Sequence, residues 1–372
     1  MQEIKGAYAS AKIFTDNVEE YALAQVKMIC DNEAAAGSVV RVMPDVHPGK
    51  IGPIGLTMTL ADAVMPGIVG IDIGCGMTLA KLKDKRMEFP KLDTVIRERV
   101  PAGFQIRKKA HRYSEEFSFA ELRCFKHINL PKAMLSMGTL GGGNHFIEVD
   151  QDGDKKLYIV IHSGSRSLGK AVAEYYLKAG QTALKEKNIE VPYELTYLTG
   201  ALMDDYLNDQ QIVQQYAAQN RAAMLDEIVK GMKLKVEEVV SCVHNYIEIT
   251  PVRKLLRKGA ISAKAGERVI IPINMKDGII LGTGKGNSEW NGSAPHGSGR
   301  LLKRTEVSSR YTVASFKKEM QGVYSSCINK ATLDEAPFAY RRLEEMQELL
   351  SDTVEIERIL RPVYNFKAGG ED

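Results

Sequence analysis

Five of the seven histidines lie in short motifs rich in glycine, asparagine or proline: His47 in MPDVHPG, His145 in GGGNHFIE, His162 in IHSGSR, His244 in CVHNYIE and His296 in APHGSGR. His111 and His127 lie in a charged stretch without such surroundings and read as surface residues. The segment GIVGIDIGCGM adds Asp72 and Cys75, three residues apart on a glycine-rich turn, where a carboxylate and a thiolate can converge on one point. Taken singly, a D-x-x-C turn also fits a structural role, and one histidine at a strand end also fits a hydrogen-bonded core. Taken together, Asp72, Cys75, His145, His162 and His244 form a pool of five metal ligands, since neutral imidazole is the commonest protein ligand of transition metals. The pool exceeds what a single open zinc site needs, and two metals sharing a bridging cysteine fit it better. Mixed nitrogen, oxygen and sulfur donors with open positions suit Mn²⁺, while raw affinity favours Zn²⁺, so the ligand types leave the metal open.

The fifth histidine does different chemistry. His296 sits in GKGNSEWNGSAPHGSGR, where small residues let a backbone approach a phosphate and Arg300 offers a planar anion donor. A histidine so placed can attack an α-phosphate and hold the nucleotide as a phosphoramidate, dividing one hard transfer into two easier ones. The alternative is a loop histidine beside a bound anion.

Elements must carry these groups to one place. The runs Val39–Met43, Leu157–His162, Val239–Ile249, Val269–Ile273 and Gly278–Leu281 read as strands, each ending near a polar or glycine-rich loop. Helical spacing appears in Ser167–Leu184, in Asp204–Lys230 with Gly231 as its stop, and in Phe338–Leu350. No repeat, low-complexity tract or Pro/Gly/Ser linker divides the 372 residues, so one α/β (α+β) catalytic domain over 1–372, with sheets around a central metal-lined cleft, is the expected architecture. Charged residues at 26% and hydrophobic ones at 44% are ordinary globular values, and no apolar run approaches the ~18 residues of a membrane span. The first residues lack a secretory pattern, and five scattered cysteines form no disulfide framework, so a reduced protein in the cytoplasm is expected. A net charge of +3 permits a polyanionic partner without demanding one.

The segments MPDVHPGKIGPIG, GIVGIDIGCGM, MGTLGGGNHFIE, IHSGSRSLG, VHNYIE, GKGN and PHGSGR, in that order along nearly the whole chain, closely resemble the RtcB family of RNA ligases. The resemblance implies joining of an RNA 3′-phosphate or 2′,3′-cyclic phosphate end to a 5′-hydroxyl, in tRNA splicing or RNA repair. It implies two Mn²⁺ ions on Asp72, Cys75, His145, His162 and His244, with Cys75 bridging, and GMP carried by His296. Nucleotide contacts carry over to Asn144, His145, Phe146, Ile147 and Glu148, to His244 and Asn245, to Pro272, Asn274 and Met275, to His296, Gly297, Ser298 and Gly299, and to Lys367 in YNFKAGG. A carboxylate such as Glu148 can accept from guanine N1–H and N2–H₂ while Lys367 donates to O6, which would select GTP over ATP. Asp45 and His47 resemble the loop near the RNA ends, and Arg166 and Arg300 the phosphate-binding arginines, which can hold phosphates in line. The resemblance also suggests an archease-type activating partner, as in some members.

The chain departs from the family at Pro272-Ile273-Asn274-Met275, where P-G-S-M is usual, at Ile279, where many members carry serine, and at Lys50-Ile51-Gly52, where an aromatic residue is common. It is also shorter than typical members, as a divergent branch with a specialised RNA would be. Two rival functions use parts of the same sequence. A metal-dependent phosphodiesterase or nuclease needs the ligand pool but no guanylylated histidine, and α-labelled GTP separates it from a ligase. A non-catalytic RNA-binding protein has no use for an intact, open ligand set.

Overall fold

The β-branched runs fold into two main sheets in a computed structural model that describes residues 1–368. One sheet has six strands in the order β1 (Gln2–Lys5), β2 (Ser10–Ile13), β3 (Val40–His47), β4 (Ile54–Leu60), β12 (Lys254–Lys258) and β11 (Asn245–Ile249). The other has seven, in the order β10 (Val236–Val243), β6 (Gly76–Leu82), β8 (Leu157–Ser163), β7 (Phe146–Gln151), β17 (Val354–Phe366), β15 (Ile279–Gly284) and β14 (Arg268–Pro272). The short strands β5 (Ala63–Val64) and β9 (Leu198–Thr199) pair with each other, as do β13 (Ala260–Ser262) and β16 (Ser293–Pro295). All these pairings are antiparallel except that of β2 with β3. The seven-stranded sheet curls, so that Glu238 on its edge strand β10 forms an ion pair with Arg268 on the opposite edge, β14. Helices and strands therefore mix as the α+β reading expects. Among the described residues no helix is long and apolar enough to cross a membrane.

Strand alternation explains where the core lies. Ile159 and Ile161 of β8, with Ile147 and Val149 of β7, pack against Met224 and Ile228 of the helix Gly200–Met232 and against Leu92 and Ile96 of the helix Phe89–Arg99. Tyr158 and Val160 face the other way, into a cluster with Ile271, Ile280 and Met346 inside the curl. With both faces covered, β8 is buried at every position. That is why it reads as an unbroken apolar run.

Several expected elements change. The run Val239–Ile249 is two strands, β10 and β11, which belong to different sheets and part at His244. Gly231 lies inside its helix, where a Cβ would come within 2.5 Å of Val95 Cγ1. The helix ends instead at Lys233, whose φ of 57° lies in the left-handed region. The stretch Phe338–Leu350 splits into a 3₁₀ turn, Pro337–Ala339, an isolated bridge from Tyr340 to Arg300, and a helix restricted to Leu343–Leu350. His111 is buried rather than on the surface: its Nδ1 accepts from the Tyr113 N–H, capping a short helical turn. His127 is exposed as expected, stacked on Tyr175 at 4.5 Å.

Two side chains in the middle of the long helix fasten the loops. Asn220 Oδ1 accepts from the N–H groups of Gly138 and Thr139, and its Nδ2 donates to Thr139 O, Ser163 Oγ and Gly164 O. Arg221, fully buried, donates to Thr78 Oγ1 and to the carbonyls of Gly74 and Ser163. Removing Asn220 strands several buried donors and acceptors, each costing roughly 1–3 kcal/mol. Asn220→Ala is therefore expected to lower the unfolding free energy by about 3 kcal/mol or more, seen as a lower denaturant midpoint at unchanged slope; an unshifted midpoint contradicts this account.

Candidate active site

The ligand pool converges because each member sits where an element ends. Asp72 and Cys75 occupy the turn before β6, His145 precedes β7, His162 is near the end of β8, and His244 stands at the break between β10 and β11. The turn docks on that break through Gly74 N–H to Asn245 O (2.7 Å) and His244 N–H to Cys75 O (2.9 Å). Gly74 permits this with a φ of 76° and with no Cβ, which would lie 2.8 Å from Ala217 Cβ on the long helix. Two triads of ligand atoms result, Asp72/Cys75/His145 and Cys75/His162/His244, each spanning no more than 4.8 Å and sharing the cysteine.

Hydrogen bonds outside each triad fix how the imidazoles face. His145 Nδ1 and His162 Nδ1 lie 3.0 Å from the carbonyls of Leu140 and Asn144, which can only accept, so both Nδ1 atoms carry the proton. Their Nε2 lone pairs then point at Cys75 Sγ from 3.5 and 3.3 Å. The His145 lone pair also meets Asp72 Oδ2 at 3.0 Å, an acceptor against an acceptor when the ring is neutral. A cation relieves that repulsion, and carbonyl-oriented imidazoles of this kind typify metal sites. Burial pushes the imidazoliums of His162 and His244 well below the usual histidine range, leaving the rings neutral and able to ligate. Burial, with the neighbouring Asp72 charge, pushes the Cys75 thiol up, so the thiolate needs a positive partner. Burial also favours the neutral Asp72, but a positive neighbour on its His145 side, the place a cation would take, with Arg166 nearby, outweighs it and holds the carboxyl low. His244 Nδ1 is buried without a hydrogen-bond partner, a further free donor atom. The residues fit a metal.

His296 stands beside this cluster, its ring centroid 4.9 Å from that of His244. Its Nδ1–H donates to Asp45 Oδ2 at 2.8 Å, and Asp45 is wholly buried. The carboxylate therefore sets the tautomer and leaves the Nε2 lone pair free. Asp45, expected at the RNA ends, is thus the partner of His296. His47 lies on the same strand; its Nδ1–H donates to Asp45 O at 3.0 Å, and burial pushes its imidazolium down to about 4.

A pocket of about 520 Å³ opens over His162, His244 and His296. Asn144, Phe146, Glu148, Pro272, Asn274, Met275, Gly297, Ser298, Gly299 and Lys367 line it, as does Ile279. Three expected members do not. Ile147 faces the core because strand neighbours alternate, His145 is turned to the metal ligands, and Asn245 braces the loop through Gly259 N–H to its Oδ1 (2.9 Å). Asn274 accepts from the N–H groups of Lys276 and Asp277, so it caps its own loop. At the pocket wall Asn365 donates to Glu148 Oε2 at 2.6 Å. Burial raises the Glu148 carboxyl to about 7, and below it burial and the Glu148 charge keep Asp150 protonated.

The two arginines differ from expectation in how they are held. Arg300 lines the pocket, but its guanidinium donates to Leu302 O, Asp334 O, Tyr340 Oη and Glu335 Oε1 within the protein. Arg166 lies on the Asp72 side with a left-handed φ of 52°, donating to Thr139 Oγ1 and Gly103 O. Lys367 donates to Glu335 Oε2 at 2.6 Å. The two glycines that end YNFKAGG lie outside the described residues.

Sequence reasoning missed Glu335, Arg304, Asn220, Arg221 and Lys258. Glu335 is a buried carboxylate ringed by Lys367, Arg300 and Arg304. Burial would raise its carboxyl, but those three cations hold it low. Lys258, reaching Val69 O, and Arg221 add positive charge near Asp72 and Cys75. In sequence these look like ordinary solvated charges. Only Asn220-Arg221, polar residues on the buried stripe of a long helix, carried a signal.

Cys75→Ala removes the atom common to both triads. The variant is expected to retain less than half the divalent metal of the parent protein by elemental analysis, whereas Asp45→Asn, outside both triads, keeps it; full metal content in Cys75→Ala contradicts the shared-thiolate geometry.

The sequence profile described as tRNA-splicing ligase RtcB matches residues 25–125 and 111–368. The RNA-splicing ligase RtcB of Escherichia coli K12 is 32% identical over 367 residues, covering 87% of this chain and 88% of its own. The tRNA-splicing ligases RtcB of Archaeoglobus fulgidus and Nanoarchaeum equitans are 28% and 26% identical over 399 and 430 residues, covering 83% and 91% of this chain and 83% and 89% of their own. Motif order, the ligand cluster and these relatives agree, and the chain belongs to the RtcB family.

Proposed function

We propose that this protein is a cytoplasmic, GTP- and Mn²⁺-dependent RNA ligase, working as one catalytic unit over 1–372, that joins RNA 3′-phosphate or 2′,3′-cyclic phosphate ends to 5′-hydroxyl ends in RNA repair or tRNA splicing. The Asp45–His296 pair carries the reading: a buried carboxylate holds Nδ1–H, so Nε2 presents a lone pair beside a pocket large enough for a nucleotide. Nε2 attacks the α-phosphorus of GTP, the bond to pyrophosphate breaks, and Asp45 offsets the charge appearing on the ring. An oxygen of the RNA 3′-phosphate then displaces His296 from that phosphorus, giving RNA(3′)pp(5′)G. The 5′-hydroxyl attacks the 3′-phosphate phosphorus, and GMP leaves. Two Mn²⁺ ions, held by Asp72, Cys75 and His145 and by Cys75, His162 and His244, would offset charge on the phosphoryl oxygens.

Guanine fits the inner wall of the pocket. Glu148 accepts from N1–H and N2–H₂ when ionised, Phe146 offers a ring face, and Lys367 can turn from Glu335 to O6. Arg304 lines the pocket with its side chain 40% exposed, and by turning from Asp334 and Glu335 it can meet phosphates. An archease-type activator remains a partner carried over from the resemblance.

His296→Ala tests the nucleophile. The variant should keep its metal and form no covalent adduct with α-labelled GTP, yet seal an RNA supplied as 3′-pp(5′)G. An intact adduct removes His296 as nucleophile, and a wild-type protein that cleaves RNA without an adduct indicates a nuclease instead. Glu148 gives a pH signature. Its carboxyl is raised to about 7, so the ionised, guanine-accepting form grows as pH rises through that value; the KM for GTP in adduct formation should fall accordingly, and Glu148→Gln should abolish the trend. A KM independent of pH in the wild type would count against this contact.

A further inference from the structure

The ligand cluster meets solvent at Asp72 as well as through the pocket lining. His162 and His244 line the pocket, but Asp72 does not, although its side chain is 31% exposed against 7% for that of His145, and Cys75, His162 and His244 are buried. Ile71 beside it is 47% exposed. On this second side Arg166 donates to Gly103 O at 3.0 Å, and Gly103 N–H donates to Gly141 O at 2.8 Å, next to the Leu140 carbonyl that orients His145. Directly after Gly103 the chain presents Phe104, 80% exposed, followed by Lys108 and Lys109, also exposed. Arg107 and Arg112 are neutralised by Glu227 and Asp226. Among the described residues no carboxylate pairs with Lys108 or Lys109.

If GTP fills the pocket, a second polyanionic substrate must reach the same ligands from elsewhere. We propose that the segment 103–109 is a platform for single-stranded RNA at this second mouth, with Phe104 stacking on a base and Lys108 and Lys109 neutralising backbone phosphates while the strand's end reaches the Asp72 side. The proposal rests on the RNA ligase reading. An uncovered aromatic ring beside free lysines suits a strand whose every base has a stacking face, with affinity that depends on salt. Arg166 stands between platform and ligands, where it can receive the terminal phosphate.

The test measures fluorescence anisotropy of a labelled single-stranded RNA with a 3′-phosphate on the full chain. Phe104→Ala and Phe104→Leu should each weaken binding roughly tenfold, and Phe104→Trp should restore it, since stacking and not apolar bulk is required. Lys108→Ala/Lys109→Ala should reduce the salt slope by about 1.4, from about 0.7 per phosphate contact on a single strand. Thermal midpoints and metal content, read on the same samples, show that the fold is intact. Wild-type affinity in Phe104→Leu, failure of Phe104→Trp to restore binding, or an unchanged salt slope overturns the platform, and unaltered RNA affinity throughout would assign this surface to a protein partner. The wild type is assayed in parallel for its GMP adduct. Loss of RNA affinity in the variants with no wild-type adduct sinks the ligase reading and keeps the platform, whereas an adduct with unaltered RNA binding does the reverse.

Discussion

The buried guanidinium of Arg221 is the constraint around which the ligand cluster is arranged. It draws the carbonyls of Gly74, from the turn that carries Cys75, and of Ser163, from the strand end that carries His162, onto one cation. Burying a charge is costly unless it is compensated nearby, and here the compensation lies in Asp72 and Cys75. Arg166 and Lys258 add to the same balance from other directions. A site meant to hold a thiolate and a carboxylate thus keeps fixed positive charge beneath them, and Asn220 stitches the neighbouring loops to the same helical turn.

The pocket beside His296 is organised around the opposite sign. Glu335 is a buried carboxylate that collects Lys367, Arg300 and Arg304, so these cations share one anchor. Arg300 is locked into this network a short way along the chain from His296, and the more exposed Arg304 joins it through Asp334 and Glu335. Tyr340 closes the arrangement, donating to Glu335 Oε2 at 2.6 Å and accepting from Arg300 at 2.9 Å.

Much of the site was legible because its chemistry demands rare residue types in rigid contexts. Asp72, Cys75, His145, His162, His244 and His296 stand out in motifs rich in glycine, asparagine or proline, and the structure gathers them within one neighbourhood. What escaped were groups whose importance is positional. Arg221 and Asn220 lie in a helix whose sequence looks half solvated, and Glu335 falls in a 3₁₀ stretch without periodicity. In the fold, β8 was clear because both faces are covered. Strand β17, the longest at 13 residues, was not, since Pro362 and a bulge interrupt its pattern. The run Val239–Ile249 looked continuous because the chain stays extended through His244, and nothing local records that its hydrogen-bond partners change sheet there. Ile147 was placed with its neighbours because a motif is read as a block, whereas a strand divides it between two faces.

The break at His244 has a mechanical meaning. The chain passes from the curled sheet to the six-stranded one at His244, itself a member of the metal-capable cluster, and Asn245 immediately after it grips the Asp72–Cys75 turn. Prising the sheets apart would pull on the ligand cluster directly, so the geometry of the cluster is tied to the seam between the two sheets.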